Sequence, residues 1–531
     1  MPDRILLSGD EAVALSAFDC GVALGSGYPG TPSTEILEAF SKLGGRAQWA
    51  PNEKVALEVA VGAAYGGARA LVTMKHVGLN VAADPFFTAA YTGVMGGLVV
   101  VSADDPGMGS SQNEQDNRWY ALSAGVPMFE PSDSQEAYDL FIEALKLSER
   151  WSIPVLFRMT TRTCHSRSIV KRRRPDLPVP APHFERDIPT LVMIPSNARP
   201  AHRRLRRKLT EIAAWNETSG PNFRVDNGLE LGIITSGVSY AHVREAAPQA
   251  SLLKLGLTHP LSVETIRAFA ASVERCVVIE EGDPYLARAI RAEGIPVEDK
   301  PEMYRFGELD VTRVRRILAG DSTPEAAPPR GKAPQFCAGC PHERVFEVLR
   351  DTERIVPGDI GCYALGALPP YSVMDTCLCM GASIGLGLGM RHVLPEEQAR
   401  RVVSVIGDST FIHSGLTGLA EMVYNPPKTG HVVIILDNGT TAMTGAQENH
   451  STGHLIDGAP TSQISLEEVG RALGIHNVHV LTRRTTAVDL RRLLEESEQS
   501  NELYLIIARN PCLVAARKHH EAQITVQQPE A

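Results

Sequence analysis

Two short runs constrain most of what this chain can fold into: Val402-Val403-Ser404-Val405-Ile406-Gly407-Asp408-Ser409, and His431 to Leu436 continuing as Asp437-Asn438-Gly439-Thr440. Each is an almost unbroken apolar, β-branched stretch, the pattern of a strand buried on both faces, and a helical pattern lies between them. Strand, helix, strand is a parallel crossover and commits this region to an open α/β sheet. In such a sheet the carboxyl ends of neighbouring strands open into one crevice. Asp408 and Asn438 are therefore expected to meet there, although 30 residues separate them.

The chemistry of that pair suits a shared cation. Magnesium takes hard oxygen ligands in an octahedron at about 2.1 Å. The Asp408 carboxylate, the Asn438 amide oxygen, the Thr440 backbone oxygen and two diphosphate oxygens would satisfy it. Gly407 lets the loop approach phosphates closely, and Ser409 with the helix N-terminus offers donors to negative charge. A lone Gly-Asp after a strand says little. With Asn438 at the end of the next strand it becomes a thiamine diphosphate signature, against the reading in which both residues merely cap loops.

The 531-residue chain as a whole has room for three or four domains, with 43% apolar and 21% charged residues. From Val13 to about Arg158, helical patterns alternate with apolar runs such as Leu71 to Met74, Leu98 to Ser102 and Val155 to Phe157, again a parallel α/β signal. Charged and Pro-rich sequence follows, including Lys171-Arg172-Arg173-Arg174-Pro175 and the basic stretch Arg203 to Lys208. The expected division is an α/β domain over 1–180, a connecting segment over 181–225, a smaller α/β domain over 226–320, a linker over 321–335 and a last α/β domain over 336–531.

Lys and Arg total 52 against 62 Asp and Glu, a net charge of −10. This balance argues against nucleic-acid or membrane-surface partners and points to small substrates. No apolar run approaches the roughly 18 residues of a membrane span. Met1-Pro2-Asp3-Arg4 leads into no signal peptide, so a cytoplasmic location is expected. Nine cysteines are too few for a disulfide framework, but five of them, Cys337, Cys340, Cys362, Cys377 and Cys379, crowd one segment.

Four further motifs, Tyr28-Pro29-Gly30-Thr31-Pro32-Ser33-Thr34, Asn52 to Glu58, Asp104 to Asn117 and Asp437 to Gly445, give the chain a family likeness. With Phe336 to His342, Gly358 to Cys362 and Asp375 to Gly381, they resemble the alpha subunit of indolepyruvate ferredoxin oxidoreductase over nearly the full length. The resemblance implies a multi-domain thiamine diphosphate fold: two parallel-sheet domains, the pyrimidine-binding type in 1–180 and the diphosphate-binding type in 336–531, plus a transketolase C-terminal-like domain. It implies oxidative decarboxylation of aromatic 2-oxoacids to aryl-acetyl-CoA, with coenzyme A as co-substrate. A smaller beta subunit of the gamma-domain type, in an α2β2 assembly, is the implied partner, along with an electron acceptor protein or cofactor. Such alpha subunits usually finish in a ferredoxin-like module with two cysteine runs, whereas this sequence has no cysteine past Cys512. The electron chain is accordingly expected to be shortened or carried by a partner.

The resemblance also assigns roles. Glu53 is the choice for the acid against the pyrimidine N1′, where a shared proton promotes the tautomer that activates the thiazolium carbon; Glu58, on a different face of the same helical run, competes with it. Thr31 would face the substrate carboxylate, and His76, beside Lys75 and Asn80, would transfer protons near the reacting centre. Met380, just before the glycine-rich helix that Gly381 opens, resembles the wedge that bends the cofactor, although core packing explains it equally well. Met443 joins the cofactor-binding set through the Asp437 to Gly445 motif. Cys337, Cys340, Cys362 and Cys512 have the spacing of four [4Fe-4S] ligands; a tetrahedral zinc would use the same set, and free thiols need no metal at all. Two other classes stay open: a non-oxidative thiamine diphosphate decarboxylase or carboligase, and a non-catalytic scaffold subunit.

Overall fold

Seven strands make the larger sheet of the N-terminal region, in the order Leu257–His259, Met128–Phe129, Val155–Thr160, Leu98–Asp104, Ala70–Lys75, Leu24–Gly27 and Ala47–Trp49. All pairings are parallel except the outermost, where Leu257–His259 runs antiparallel to Met128–Phe129. The central strands are buried along their whole length, as β-branched runs covered by helices on both faces must be. A computed structural model describes residues 3–218, 220–326 and 334–517, and the chain divides into two compact units, Met1–Ala327 and Pro328–Ala531.

The first unit holds a second sheet, ordered Arg275–Ile279, Leu231–Ser236, Ser251–Leu255 and Phe223–Val225, parallel except for the last strand. Within the segment expected as a connection, residues 181–225, the chain forms a 24-residue helix, Pro195–Thr218. Its Ala201, Leu205, Ile212 and Asn216 are buried at helical spacing while Arg199, Arg203, Arg206 and Arg207 are exposed. Arginine and lysine are good helix formers, so a basic run with a sparse apolar stripe suffices. The second sheet is tied to the first by buried charge. Fully buried Arg118 donates from Nη1 to Glu280 Oε2 at 2.6 Å and from Nε to Asp116 Oδ1 at 2.8 Å. Arg158 reaches Asp104 Oδ2 at 2.9 Å and Glu130 Oε1 at 2.6 Å.

The second unit is built on four parallel strands in the order Val403–Gly407, His431–Asp437, Leu503–Arg509 and Asn477–Thr482. Alternation along each strand feeds two cores: Ile434, Leu436 and Ile506 join Phe346 and Leu349 on one face, while Val433, Ile435 and Ile507 join Ile384 and Phe411 on the other. These placements leave the strand ends, where polar residues begin, as the open edge of the sheet. Part of the expected linker, residues 327–333, and the tail from residue 518 onward lie outside the described residues. Among the described residues, no helix is long and apolar enough to cross a membrane.

Candidate active site

Each unit gathers its candidate residues at the carboxyl edge of a parallel sheet, where adjacent strand ends make a crevice. In the first unit, the strands ending at Gly27, Trp49, Lys75 and Asp104 are consecutive neighbours in the sheet. They deliver the turn with Thr31, the helix starting at Glu53, the pair Lys75-His76 and the acidic pair Asp104-Asp105 to one edge.

Glu53 is the first residue of the helix Glu53–Tyr65, which Asn52 caps by accepting from the Val55 amide at 3.0 Å. Its side chain is only 4% exposed. The helix His76–Val81 passes directly against it: a Cβ built on Gly78 would lie 2.6 Å from Glu53 Oε1. Only glycine allows that approach. Glu58 lies farther along the same helix, exposed and paired with Lys54.

The Thr31 turn is held by hydrogen bonds of its own. The Gly30 amide donates to Thr34 Oγ1 at 3.0 Å and Ser33 Oγ donates to the Gly30 carbonyl at 3.0 Å. A Cβ on Gly30 would stand 3.0 Å from Lys75 Cβ, so half-buried Thr31 and buried Lys75 belong to one cluster. Lys75 donates from Nζ to the Ser110 carbonyl at 2.6 Å, and burial pulls its pKa down despite the charge of Asp105. For Asp105, burial acts to raise the pKa, but hydrogen bonds from Ser111, Ser110 and Thr161 and the charge of Lys75 bring it below the usual value.

His76 turns toward the loop that follows Asp105. Its Nε2 is 3.2 Å from the Asn113 carbonyl, and its own carbonyl accepts from Gln115 Nε2 at 3.1 Å and Asn117 Nδ2 at 3.0 Å. Burial and the neighbouring Lys75 charge lower its pKa, so the fully buried ring is neutral at pH 7. Asn80 bonds to Gln115 and accepts from the Tyr120 hydroxyl at 2.7 Å.

In the second unit, Asp408 and Asn438 stand just beyond adjacent parallel strands. Asp408 is 2% exposed and accepts from the Gly439 amide at 3.1 Å and from Ser451 Oγ at 3.4 Å. Burial, reinforced by Asp437, pushes its pKa up to about 7. The charge of Arg509 is taken by Asp437, at 2.6 Å, and by Glu467. A buried carboxylate beside a second one, with no cation of its own, is a place where a metal ion would lower the energy. Gly439 has φ +69°, which turns its amide toward Asp408. Asn438 Oδ1 accepts from the Thr440 amide at 3.1 Å, and Thr441 Oγ1 donates to Ser409 Oγ at 2.9 Å. A cleft of about 610 Å³ opens here, lined by Asn438, Gly439, Glu448, Ser451, Gln463 and Arg509 among others.

Gly407 packs under Tyr363, where a Cβ would lie 2.7 Å from the ring. Half-buried Met380 precedes Gly381, whose φ of +85° and contact with Ser414 leave no room for a side chain. Asp359 anchors this turn by accepting from the Gly381 amide at 2.9 Å and the Ser383 amide at 3.0 Å. Met443 sits in the turn 441–447 with its side chain exposed.

Three residues the sequence reading did not single out now have clear work. Asp359 fixes the start of the Gly381 helix, Gly78 forms the wall of the Glu53 site, and Asp105 holds the loop over Lys75. Asp359 and Asp105 lie inside motifs that carried the family likeness, which was the only signal available for them.

The cysteines converge without crowding. Burial raises the Cys362 thiol, and Cys512 and Cys337 raise it further; burial likewise lifts Cys340 to about 11, with Cys337 and Cys362 adding to it. The Cys512 amide donates to the Asn438 carbonyl at 3.0 Å, which ties this group to the Asp408 strand ends. Among the described residues, the one group of three potential metal ligands within 4.8 Å of one another is Asp10, Glu35 and His165. Among the described residues, no three of these sulfurs lie within that distance of one another.

Comparison with known proteins defines the class first. Residues 16–202 match the pyruvate flavodoxin/ferredoxin oxidoreductase thiamine diphosphate-binding family, and residues 359–508 match the thiamine pyrophosphate enzyme C-terminal TPP binding domain. A 2-oxoglutarate:ferredoxin oxidoreductase from Magnetococcus marinus shares the fold at TM-score 0.51 and 19% identity, covering 60% of this chain and 65% of that one. Fold and family matches are those of a thiamine diphosphate-dependent 2-oxoacid oxidoreductase.

The indolepyruvate oxidoreductase subunit IorA of Archaeoglobus fulgidus is 38% identical, over 96% of this chain and 87% of its own. That of Methanothermobacter thermautotrophicus is 39% identical, over 97% and 88%. The chain belongs to the family of indolepyruvate oxidoreductase subunit IorA.

Proposed function

We propose that this chain is the alpha subunit of an enzyme that converts aromatic 2-oxoacids, of the indolepyruvate or arylpyruvate kind, to aryl-acetyl-CoA. The balance is RCOCOO⁻ + CoA-SH → RCO-S-CoA + CO₂ + H⁺ + two electrons, which leave singly to an acceptor. The observation that carries this reading is that likeness to IorA runs through 96% of the chain and spans both strand-end clusters.

Thiamine diphosphate, when bound, supplies the nucleophilic carbon and the electron sink for decarboxylation. Glu53 holds a proton against the aminopyrimidine, and its burial against Gly78 keeps water from competing for it. Asp408, Asn438 and the Thr440 backbone oxygen would hold magnesium; Gly407, Ser409 and Gly381 would accommodate the diphosphate, and Met380 and Met443 would contribute to cofactor binding. Thr31 and Lys75 face the substrate carboxylate, and neutral His76 takes part by hydrogen bonding and proton transfer rather than by charge. Cys337, Cys340, Cys362 and Cys512 would hold one [4Fe-4S] cluster through their four thiolates. A smaller beta subunit in an α2β2 assembly completes the enzyme.

The test is anaerobic co-purification with the smaller subunit, followed by iron analysis and an assay of dye reduction. About four irons per chain and reduction that requires both arylpyruvate and coenzyme A are expected. Iron-free protein releasing an aldehyde or acyloin would instead establish a non-oxidative decarboxylase.

A further inference from the structure

Behind the Thr31 turn, three helices of the first unit bring together side chains that the catalytic reading leaves unused. Asp10 lies in the first turn of Gly9–Asp19, Glu35 in the first turn of Thr34–Lys42, and His165 closes Thr161–His165. One ligand atom from each lies within 4.8 Å of the other two.

Asp10 is the telling member. Its side chain is wholly buried, no amide, hydroxyl or cationic side chain bonds to either carboxylate oxygen, and its one polar contact is the weakly donating thiol of Cys164. The charges that face it are Glu35 and Glu11, both negative, and its polar neighbour is the buried thiol of Cys164. Arg167 pairs with the adjacent Glu11 at 3.4 Å. A buried carboxylate with only negative neighbours is costly, and the fold offers two ways out: a retained proton or a bound cation. Glu35 and His165 favour the cation by geometry, since both are exposed and each offers a ligand atom within 4.8 Å of the other and of Asp10.

We propose that Asp10, Glu35 and His165 form a binding site for a first-row divalent cation of the zinc type, open to water on its outer side. Two carboxylates and an imidazole suit such an ion, which binds these donors at about 2.0–2.2 Å. Closing from 4.8 Å to that geometry asks only the exposed Glu35 and His165 side chains to move. Because Glu35 is four residues beyond Thr31, the ion clips the helix that follows the Thr31 turn to the first helix of the unit and sets the position of that turn. All three of its residues belong to the first unit.

The full chain is stripped with chelator and titrated with Zn²⁺, and metal stoichiometry and thermal transition are read for the native protein, Asp10→Asn and His165→Gln. An asparagine amide mimics a protonated carboxyl in shape and polarity, and His165 is exposed, so both variants are expected to fold. The native chain should bind one more equivalent than either variant and should gain a zinc-dependent rise in its transition. Each variant should bind at that site about tenfold more weakly or worse. Equal stoichiometry in all three proteins, with no zinc-dependent shift, would overturn the site and assign a retained proton to Asp10.

Discussion

The two strand-end clusters solve the problem of buried charge in opposite ways. At the strand ends of the first unit the buried charges are answered from within: Arg118 by Asp116 and Glu280, Arg158 by Asp104 and Glu130, Lys75 by Asp105. In the second unit Asp408 is buried beside Asp437, whose own partner is Arg509, and is left with amide and hydroxyl donors. The first cluster is preorganised by the protein alone; the second leaves a carboxylate that a cation would complete. On the proposed function, that is the difference between a site for an organic ring and a site for a metal diphosphate.

The largest effect expected from breaking this contrast is at Asp408. Asp408→Ala removes the carboxylate that the cation needs, so cofactor retention and turnover should both be lost, with the fold intact; gel filtration with bound thiamine diphosphate measured in the protein peak checks it. Glu53→Gln should cut kcat by about a hundred- to ten-thousand-fold while the protein still binds the cofactor, because the carboxylate acts on the ring and leaves the diphosphate contacts untouched. Near-normal rates in that variant would remove Glu53 from its role.

Arg118→Met tests the self-compensated half. It leaves Asp116 and Glu280 buried without their partner and should destabilise the first unit by about 3–5 kcal/mol, seen as a lowered denaturation midpoint. Gly78→Ala pushes a methyl group into Glu53 Oε1 and should lower kcat by about tenfold or more, with a smaller change in stability.

Acidity separates the halves more gently. Burial raises Asp408 to about 7 in the cation-free protein. The folded state therefore binds the extra proton, and stability from the protonated carboxyl is full below the unfolded value near 4 and is lost as the pH rises to 7. Magnesium competes with that proton, so cofactor affinity should fall by about tenfold per pH unit below 7. Calorimetric titration at several pH values checks the slope.

The fold class was readable because unbroken runs such as Val432 to Leu436 admit few placements other than a doubly covered parallel strand. Asp408 and Asn438 were readable at neighbouring strand ends for the same reason, since the strand fixes the position of whatever follows it. Partnerships were not readable: Arg118 finds Glu280 across 162 residues, and one sequence carries no record of that distance. Nor was the role of Gly78, since a glycine shows its purpose only when the group it admits, here Glu53, is seen beside it. The helix Pro195–Thr218 was masked by its own charges, because its apolar stripe is sparse and Pro200 interrupts the pattern.

The central claim is that the Asp408 cluster is built to be completed by a divalent cation carrying a diphosphate. Calorimetric titration of the native full chain with thiamine diphosphate, with and without Mg²⁺, tests it directly. Binding that requires Mg²⁺ and disappears in Asp408→Ala is the predicted result. Binding that is equally tight without Mg²⁺, or that survives in Asp408→Ala, would contradict it.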